Sequence, residues 1–272
     1  LKYGFDTAIQ RPLIRNMILT AGEKEGKLMS LGARKTTNIF RIFPDKLNLS
    51  LDINPFHPDP NGRGKKVSSK GAFHSAAFIL QRCLADHLDV SPEEIELAAI
   101  TEHSLEDNTE RSTGKIVLSD ELPNGSGFVE FLFRKIDYFF SMVLTPEEEH
   151  RFAKSFINTE HAKVCETSCY KDLQNYLNLN YHGILDWRLG VGLIRVFSDY
   201  SYVSGLDNNW SFIEVKDWPE IALKYALRFA DSIDKRILED SSNLIIHNGI
   251  PIINYKSINI VIVHPFWNHN IY

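Results

Sequence analysis

The chain has 272 residues with 43% hydrophobic content and a formal net charge of −5. That is enough apolar material for one large domain or two small ones, and too acidic a balance for a protein that coats nucleic acid by bulk charge. Three cysteines are too few for a secreted disulfide framework, and no run of about 18 apolar residues suggests a membrane span, so the composition implies a soluble, cytoplasmic protein. The sequence opens on Leu1 rather than Met, which reads as a fragment or a processed chain.

Leu1 to Gly32 reads as a strand or short helix running into a charged turn, Gly22 to Lys27. That turn is one residue short of a phosphate-cradling loop and lacks its Ser/Thr, so no nucleotide site is expected there. Leu47, Leu49, Leu51 and Ile53 alternate with Asn48, Ser50 and Asp52, the period of a half-buried strand. Residues 1–54 are either the tail of a preceding domain or the N-terminal strands of the domain formed by 55–272.

Asn54 to Gly71 is rich in Pro, Gly and Ser and carries Arg63, Lys65, Lys66 and Lys70, the only compact basic cluster. Two readings stand: a solvated loop, or an arm that contacts a DNA backbone. Phe73, Ala76, Ala77, Leu80, Leu84 and Leu88 then follow at helical spacing from Ala72. Ser91-Pro92 with Glu94 restarts a short helical turn. Ile95 to Ile100 and Ile116 to Leu118 read as neighbouring strands joined by a polar turn, Thr101 to Thr113.

Asn124-Gly125-Ser126-Gly127 is a tight turn that opens a helix from Phe128 to about Val143. It either permits a sharp strand-to-helix turn or binds an anion at the helix start. Thr145-Pro146-Glu147-Glu148 predicts a second helix, with Thr145 as its cap, running to about Ile157.

Cys165 and Cys169 lie four apart, on one face if helical, with His161 four residues earlier and His182 beyond an Asn/Tyr-rich turn. They are either two ligands of a zinc site or two small buried hydrophobes. Leu185 to Phe197 continues as a helix; Asp186 and Arg188 flank Trp187 and point to different faces, while Trp187 serves as a core anchor. Phe212 to Lys216 reads as a strand. Its Glu214-x-Lys216 pair, with Asp199 or Asp207, has the outline of a magnesium-dependent nuclease site. A long amphipathic helix then starts at Trp218-Pro219-Glu220, with Ile221, Leu223, Tyr225, Ala226, Phe229, Ile233 and Ile237 on its apolar side. Two β-rich runs, Leu244 to Tyr255 and Ile258 to Val263, close the chain. The fold class these elements imply is mixed α/β (α+β): an antiparallel or mixed sheet covered by about five helices.

Several of these stretches together resemble one family. Cys165-x-x-Ser168-Cys169-Tyr170-x-x-Leu173-x-x-Tyr176-x-Asn178, with His182 and Leu185-Asp186-Trp187-Arg188-Leu189, is similar to the end of the MrfA-type zinc-binding (MZB) domain. Pro123 to Phe128 is similar to that family's Asp-x-x-Pro-(Gly/Asn)-Gly-x-Gly stretch, which places Asn124, Gly125 and Gly127 in the motif. Phe73 to Glu96 resembles its helix and Leu-Asp-Val-x-Pro-Glu-Glu turn, so the likeness spans about Leu31 to Pro265. The family is found at the C-terminus of superfamily-two helicases and in DrmB of the bacterial DISARM antiphage system. The resemblance therefore implies a non-catalytic, helicase-associated module that supports a partner helicase on DNA. The first reading it implies is a DrmB-like role in bacterial antiphage defence, the alternative being the C-terminal module of a DNA-repair superfamily-two helicase, and it implies a zinc site. Where the family has a further cysteine, three residues after the second, this chain has Asp172. The missing thiolate predicts a degenerate site, with the remaining ligands drawn from His161, His182, Asp172 or Cys83 and the hairpin held by packing of Leu173, Tyr176, Leu185, Trp187 and Leu189. No phosphate loop or helicase metal motif occurs.

Overall fold

The computed structural model describes residues 36–57, 66–106, 111–233 and 243–268. The chain is α+β, with two three-stranded antiparallel sheets among the described residues. Its organising element is α1 (Val67–Leu88), a 22-residue helix that starts five residues before the predicted Ala72. Gly71 to Leu80 are all buried, so α1 has no solvent face along that stretch and lies inside the domain rather than on it. Small residues allow this. A Cβ on Gly71 would sit 2.1 Å from the Ile184 carbonyl, and one on Gly114 2.6 Å from the Phe73 ring.

One face of α1 packs on the first sheet, in which the central β3 (Ser112–Asp120) pairs with β1 (Ile39–Ile42) and β2 (Ile95–Ser104), with β1 and β2 at the edges. The predicted pair of strands is correct but longer than the sequence suggested, which shortens the polar turn between them. Ser91 accepts from the Glu93 amide and Pro92–Glu94 form one 3-10 turn, the predicted short restart. The opposite face of α1 packs on α6 (Trp187–Ser198), where Gly190 meets Ser75.

Between sheet and α6, the predicted helix from Phe128 is split at Lys135 into α2 (Phe128–Arg134) and α3 (Ile136–Leu144). Thr145 does not cap a helix: its hydroxyl donates to the Ser141 carbonyl at 3.0 Å, and His150 Nδ1 instead accepts from the Glu147 amide at 3.0 Å. Helix α4 (Arg151–Phe156) therefore starts later than predicted, followed by α5 (Thr159–Val164).

The alternating stretch at Leu47 to Ile53 is not a regular strand. Asn48 turns the chain, its side chain accepting from Ser50 N–H and its carbonyl from Leu51 N–H. Leu49 is left 62% exposed while Leu47, Leu51 and Ile53 enter the main core. Residues 50–52 then pair with 266–268: Leu51 bridges Trp267, and Asp52 N–H donates to the Phe266 carbonyl at 2.8 Å. Helix α7 (Trp218–Ile233) packs on the second sheet, β4 (Leu244–His247), β5 (Ile250–Tyr255) and β6 (Ile258–Val261). Its buried face is Ala222, Ala226 and Ala230, not the larger side chains; Tyr225, Phe229 and Ile233 are exposed, because alanines let the helix approach β5 closely. Ile237 lies outside the described residues.

The α1–α6 crossing makes Gly190 a test of the packing. Gly190→Ala would place its Cβ 2.8 Å from Ser75 Cβ. Overpacking costs about 1–3 kcal/mol, which outweighs the roughly 1 kcal/mol gain in helix propensity. Denaturant melts are expected to show a less stable protein, and an unchanged or raised midpoint would contradict this packing.

Candidate metal centre

The special side chains of the Cys165–Phe197 stretch are gathered at the end of α5. The two cysteines do not share a helix: Cys165 ends α5 in extended conformation (φ −116°, ψ 105°). The chain leaves the helix because its next polar groups are claimed elsewhere. Thr167's carbonyl accepts from Trp187 N–H at 2.8 Å, and Gln174 holds the Ser168 carbonyl at 3.1 Å. Cys169 to Gln174 then folds into a tight knuckle, with the amides of Asp172 and Gln174 donating to the Cys169 carbonyl.

This geometry brings His161, Cys165, Cys169 and Asp172 together, each offering one donor atom, all within 4.8 Å of one another. Asp172 is at the centre. Its carboxylate accepts from Cys165 Sγ–H at 3.1 Å, from Cys169 N–H at 2.7 Å and from Leu173 N–H, and faces His161 Nε2 at 2.9 Å. His161 Nε2 also lies 3.5 Å from Cys169 Sγ. Burial pushes the Cys165 thiol pKa up, reinforced by its hydrogen bond to Asp172. It pulls the His161 ring's pKa down, partly offset by the same carboxylate.

Two sulfurs, one imidazole and one carboxylate are a donor set that zinc accepts. Tetrahedral edges built from its usual bond lengths are roughly 3.3–3.8 Å, and the donor separations here bracket that range, from 2.9 Å to no more than 4.8 Å. The residues present thus fit a four-coordinate ion, with Asp172 in the position of the missing thiolate. The outer contacts are partly built. His161 Nδ1 is buried with no hydrogen-bond partner, whereas the Cys165 carbonyl receives Arg188 Nη1 at 2.8 Å and Trp187 Nε1 at 3.3 Å.

Of the other expected ligands, His182 Nε2 contacts the Asn175 carbonyl and the Asn178 side chain at 3.0 and 2.9 Å, and Cys83 is buried inside α1, where desolvation raises its pKa. The packing set holds for Leu173, Leu185 and Trp187, but Tyr176 is 82% exposed. Arg188 and Asp186 diverge as their spacing requires. Arg188 binds the carbonyls of Ala162, Cys165 and Glu166 and pairs with Asp217 at 3.2 Å, while Asp186 caps α6 by accepting from Leu189 N–H at 3.1 Å.

The remaining candidate residues are dispersed. Arg63 and Lys65 lie outside the described residues. Lys66 points inward, 10% exposed, donating to the Asp52 carbonyl at 2.6 Å with the Asp52 carboxylate 3.8 Å away, and Lys70 is exposed on α1. Phe212 to Lys216 is a turn rather than a strand, so Glu214 and Lys216 do not share a strand face. Glu214 is buried against the Arg195 guanidinium, and Asp199 and Asp207 are exposed, each accepting from the amide two residues on.

At the Asn124–Gly127 turn, Gly127 takes φ +82° as the residue before α2. The helix start does meet an anion, but one from this chain. The buried Asp120 carboxylate, the Asp three residues before Pro123 in the Asp-x-x-Pro-Asn-Gly-x-Gly stretch, accepts from the amides of Ser126, Gly127 and Val129 at 2.8, 2.7 and 3.0 Å.

No protein-family model matches the chain, and no curated protein does. Among solved structures, the crystal structure of the DUF1998 helicase MrfA bound to DNA matches 51% of this chain and 15% of its own, with 13% sequence identity and a TM-score of 0.31. No helix of the described residues is long and apolar enough to cross a membrane.

Two helix-start carboxylates outside the cluster can be tested by amide substitution. Asp120→Asn keeps the size but removes the charge that three amides face, and is expected to cost about 1.5–3 kcal/mol in a denaturant melt; a change within error would contradict the capping role. Desolvation raises the Asp186 pKa to about 6, offset in part by the Leu189 amide and Arg188. With a folded pKa above the unfolded value of about 3.9, the protonated form favours the native state. Stability should therefore fall as pH rises from about 4 to 6. Asp186→Asn, which retains the cap, should flatten that portion of the melting-temperature profile; an unaltered slope would contradict it.

Proposed function

We propose that the chain is a zinc-binding, helicase-associated module without catalytic activity of its own, which supports a partner or attached helicase on DNA. The observation that carries the reading is the His161–Cys165–Cys169–Asp172 cluster: the stretch that resembles the end of the MZB domain gathers four donors at metal-binding spacing. Asp172 takes the place of the family's further cysteine without opening a gap in the donor set. A DrmB-like role in antiphage defence is the specific form proposed; service as the C-terminal module of a DNA-repair helicase is the second. In either form the exposed Lys70, with Arg63 and Lys65, makes the DNA-backbone contact, and Lys66 holds α1 to Asp52 instead. The nuclease reading has less support, because Glu214 is committed to Arg195.

Metal analysis of the purified protein is expected to give one zinc per chain. The metal competes with a tightly held Cys165 proton, so affinity should rise with pH. At free zinc a hundredfold above Kd, the ion adds about 2.7 kcal/mol, which chelation or Cys165→Ser should remove. Asp172→Cys, restoring the family's thiolate, should tighten binding. Absence of zinc from both the parent protein and Asp172→Cys would overturn the metal reading.

For DNA, replacing Arg63, Lys65 and Lys70 by Ser should lower the slope of log affinity against log salt by about 0.9 for each phosphate that is no longer neutralised. An unchanged slope and affinity would remove the basic arm from the interface.

A further inference from the structure

A second candidate site lies beside the His161–Cys165–Cys169–Asp172 cluster, sharing Arg188 and the 166–167 backbone with its surroundings, and does not depend on the helicase reading. A cleft of about 440 Å³ opens where the start of α1, the 182–189 loop, the start of α7 and the His264-Pro265 turn meet. Val67 and Ser68 of α1 line it. This helix is 22 residues long, yet its N-terminus is uncapped: Lys66 supplies no side-chain cap and the first turn contains no acidic residue. The amides of Val67, Ser68 and Ser69 find no acceptor among the described residues.

The opposite wall of the cleft also presents a donor without an acceptor. His264 is 4% exposed, and its Nδ1 accepts from Phe266 N–H at 3.2 Å, which leaves Nε2–H free to donate. Trp218 Nε1–H, on the ring that meets His264 edge-on, and Nε–H of Arg188 are unpartnered but buried behind this wall, with no surface on the cleft. The Arg188 side chain is itself 8% exposed. The carboxylates along the cleft are already engaged: Asp186 with Leu189 N–H, Glu166 with Lys224 and Glu214 with Arg195. What remains is an excess of donors around a helix start, and an excess of donors calls for an anion.

We propose that this cleft binds a phosphoryl group, either as inorganic phosphate or as the terminal monoester of a nucleic-acid strand. A tetrahedral oxyanion offers acceptors in several directions, enough for the α1 amides and the His264 ring that line the cleft. A carboxylate presents two oxygens in one plane.

Trp fluorescence and calorimetric titrations with inorganic phosphate, acetate and single-stranded oligonucleotides bearing a 5′-phosphate or a 5′-hydroxyl test this directly. Phosphate is expected to bind with millimolar or better affinity, and acetate at least about tenfold more weakly. Ser68→Asp places a carboxylate at the α1 start, so it should weaken phosphate by about tenfold or more while leaving the melting temperature unchanged or raised. His264→Gln should weaken phosphate as well. Stronger binding of the 5′-phosphorylated strand than of its hydroxyl counterpart assigns a strand end, and equal binding of the two assigns free phosphate; both support phosphoryl recognition. No phosphate binding up to about 10 mM, acetate binding equal to phosphate, or full affinity in Ser68→Asp would overturn the proposal.

Discussion

Asp172 is the constraint around which the hairpin is built. Its side chain is fully buried, and a buried carboxylate is tolerated only when its oxygens are met by donors. Here the Cys165 thiol, the Cys169 and Leu173 amides and the His161 ring meet them. The knuckle from Cys169 to Gln174, the extended exit at Cys165 and the placement of His161 follow from satisfying that one charge. The donors assembled for this purpose are also the donors a metal ion needs. Protons on Cys165 and His161 occupy the positions that zinc would take, so the same cluster holds together with either.

Arg188 ties this cluster to the rest of the fold. From the first turn of α6 its guanidinium reaches three carbonyls of the 162–166 segment and Asp217 just before α7. Trp187, stacked beneath the guanidinium at 4.5 Å, packs against His161 and Phe156. The Leu-Asp-Trp-Arg-Leu stretch thus divides its work. Asp186 caps the helix, Trp187 fills the core under the ligands, and Arg188 fixes the ligand-bearing backbone. Asp186 is moreover joined to α1, its amide donating to the Ser75 hydroxyl at 2.9 Å. A disturbance at the His161–Cys165–Cys169–Asp172 cluster therefore has a short packed path to both the central helix and α7.

Where local chemistry decides conformation, the sequence was readable. Ser91-Pro92 and the Gly-rich turn before Phe128 fell where capping and positive φ require them, and β2 and β3 appeared where β-branched residues cluster. The cysteine pair was legible as a chemical group but not as a shape. Spacing of four suggested a helix, and the competing partners that unwind it are the nearby Gln174 side chain and, farther along the chain, the Trp187 amide. Long-range partners also explain Lys66, which reads as part of a basic arm until Asp52 is placed beside it, and Glu214, whose strand-like setting disappears in a turn held by Arg195. Alanine was the least legible signal: α7 buries its small residues and exposes its large ones, the reverse of what hydropathy suggests. One further local signal was available but unused, Asn248-Gly249, whose positive φ angles of 50° and 78° divide the first C-terminal run into β4 and β5.

The central claim is that these four side chains, including the carboxylate, form one metal centre. X-ray absorption at the zinc edge of the purified protein tests it most directly. The account predicts two sulfur scatterers at about 2.3 Å and two nitrogen or oxygen scatterers at about 2.0–2.1 Å, with one oxygen replaced by sulfur in Asp172→Cys. A shell of nitrogen and oxygen alone, or a spectrum that Asp172→Cys leaves unchanged, would contradict it.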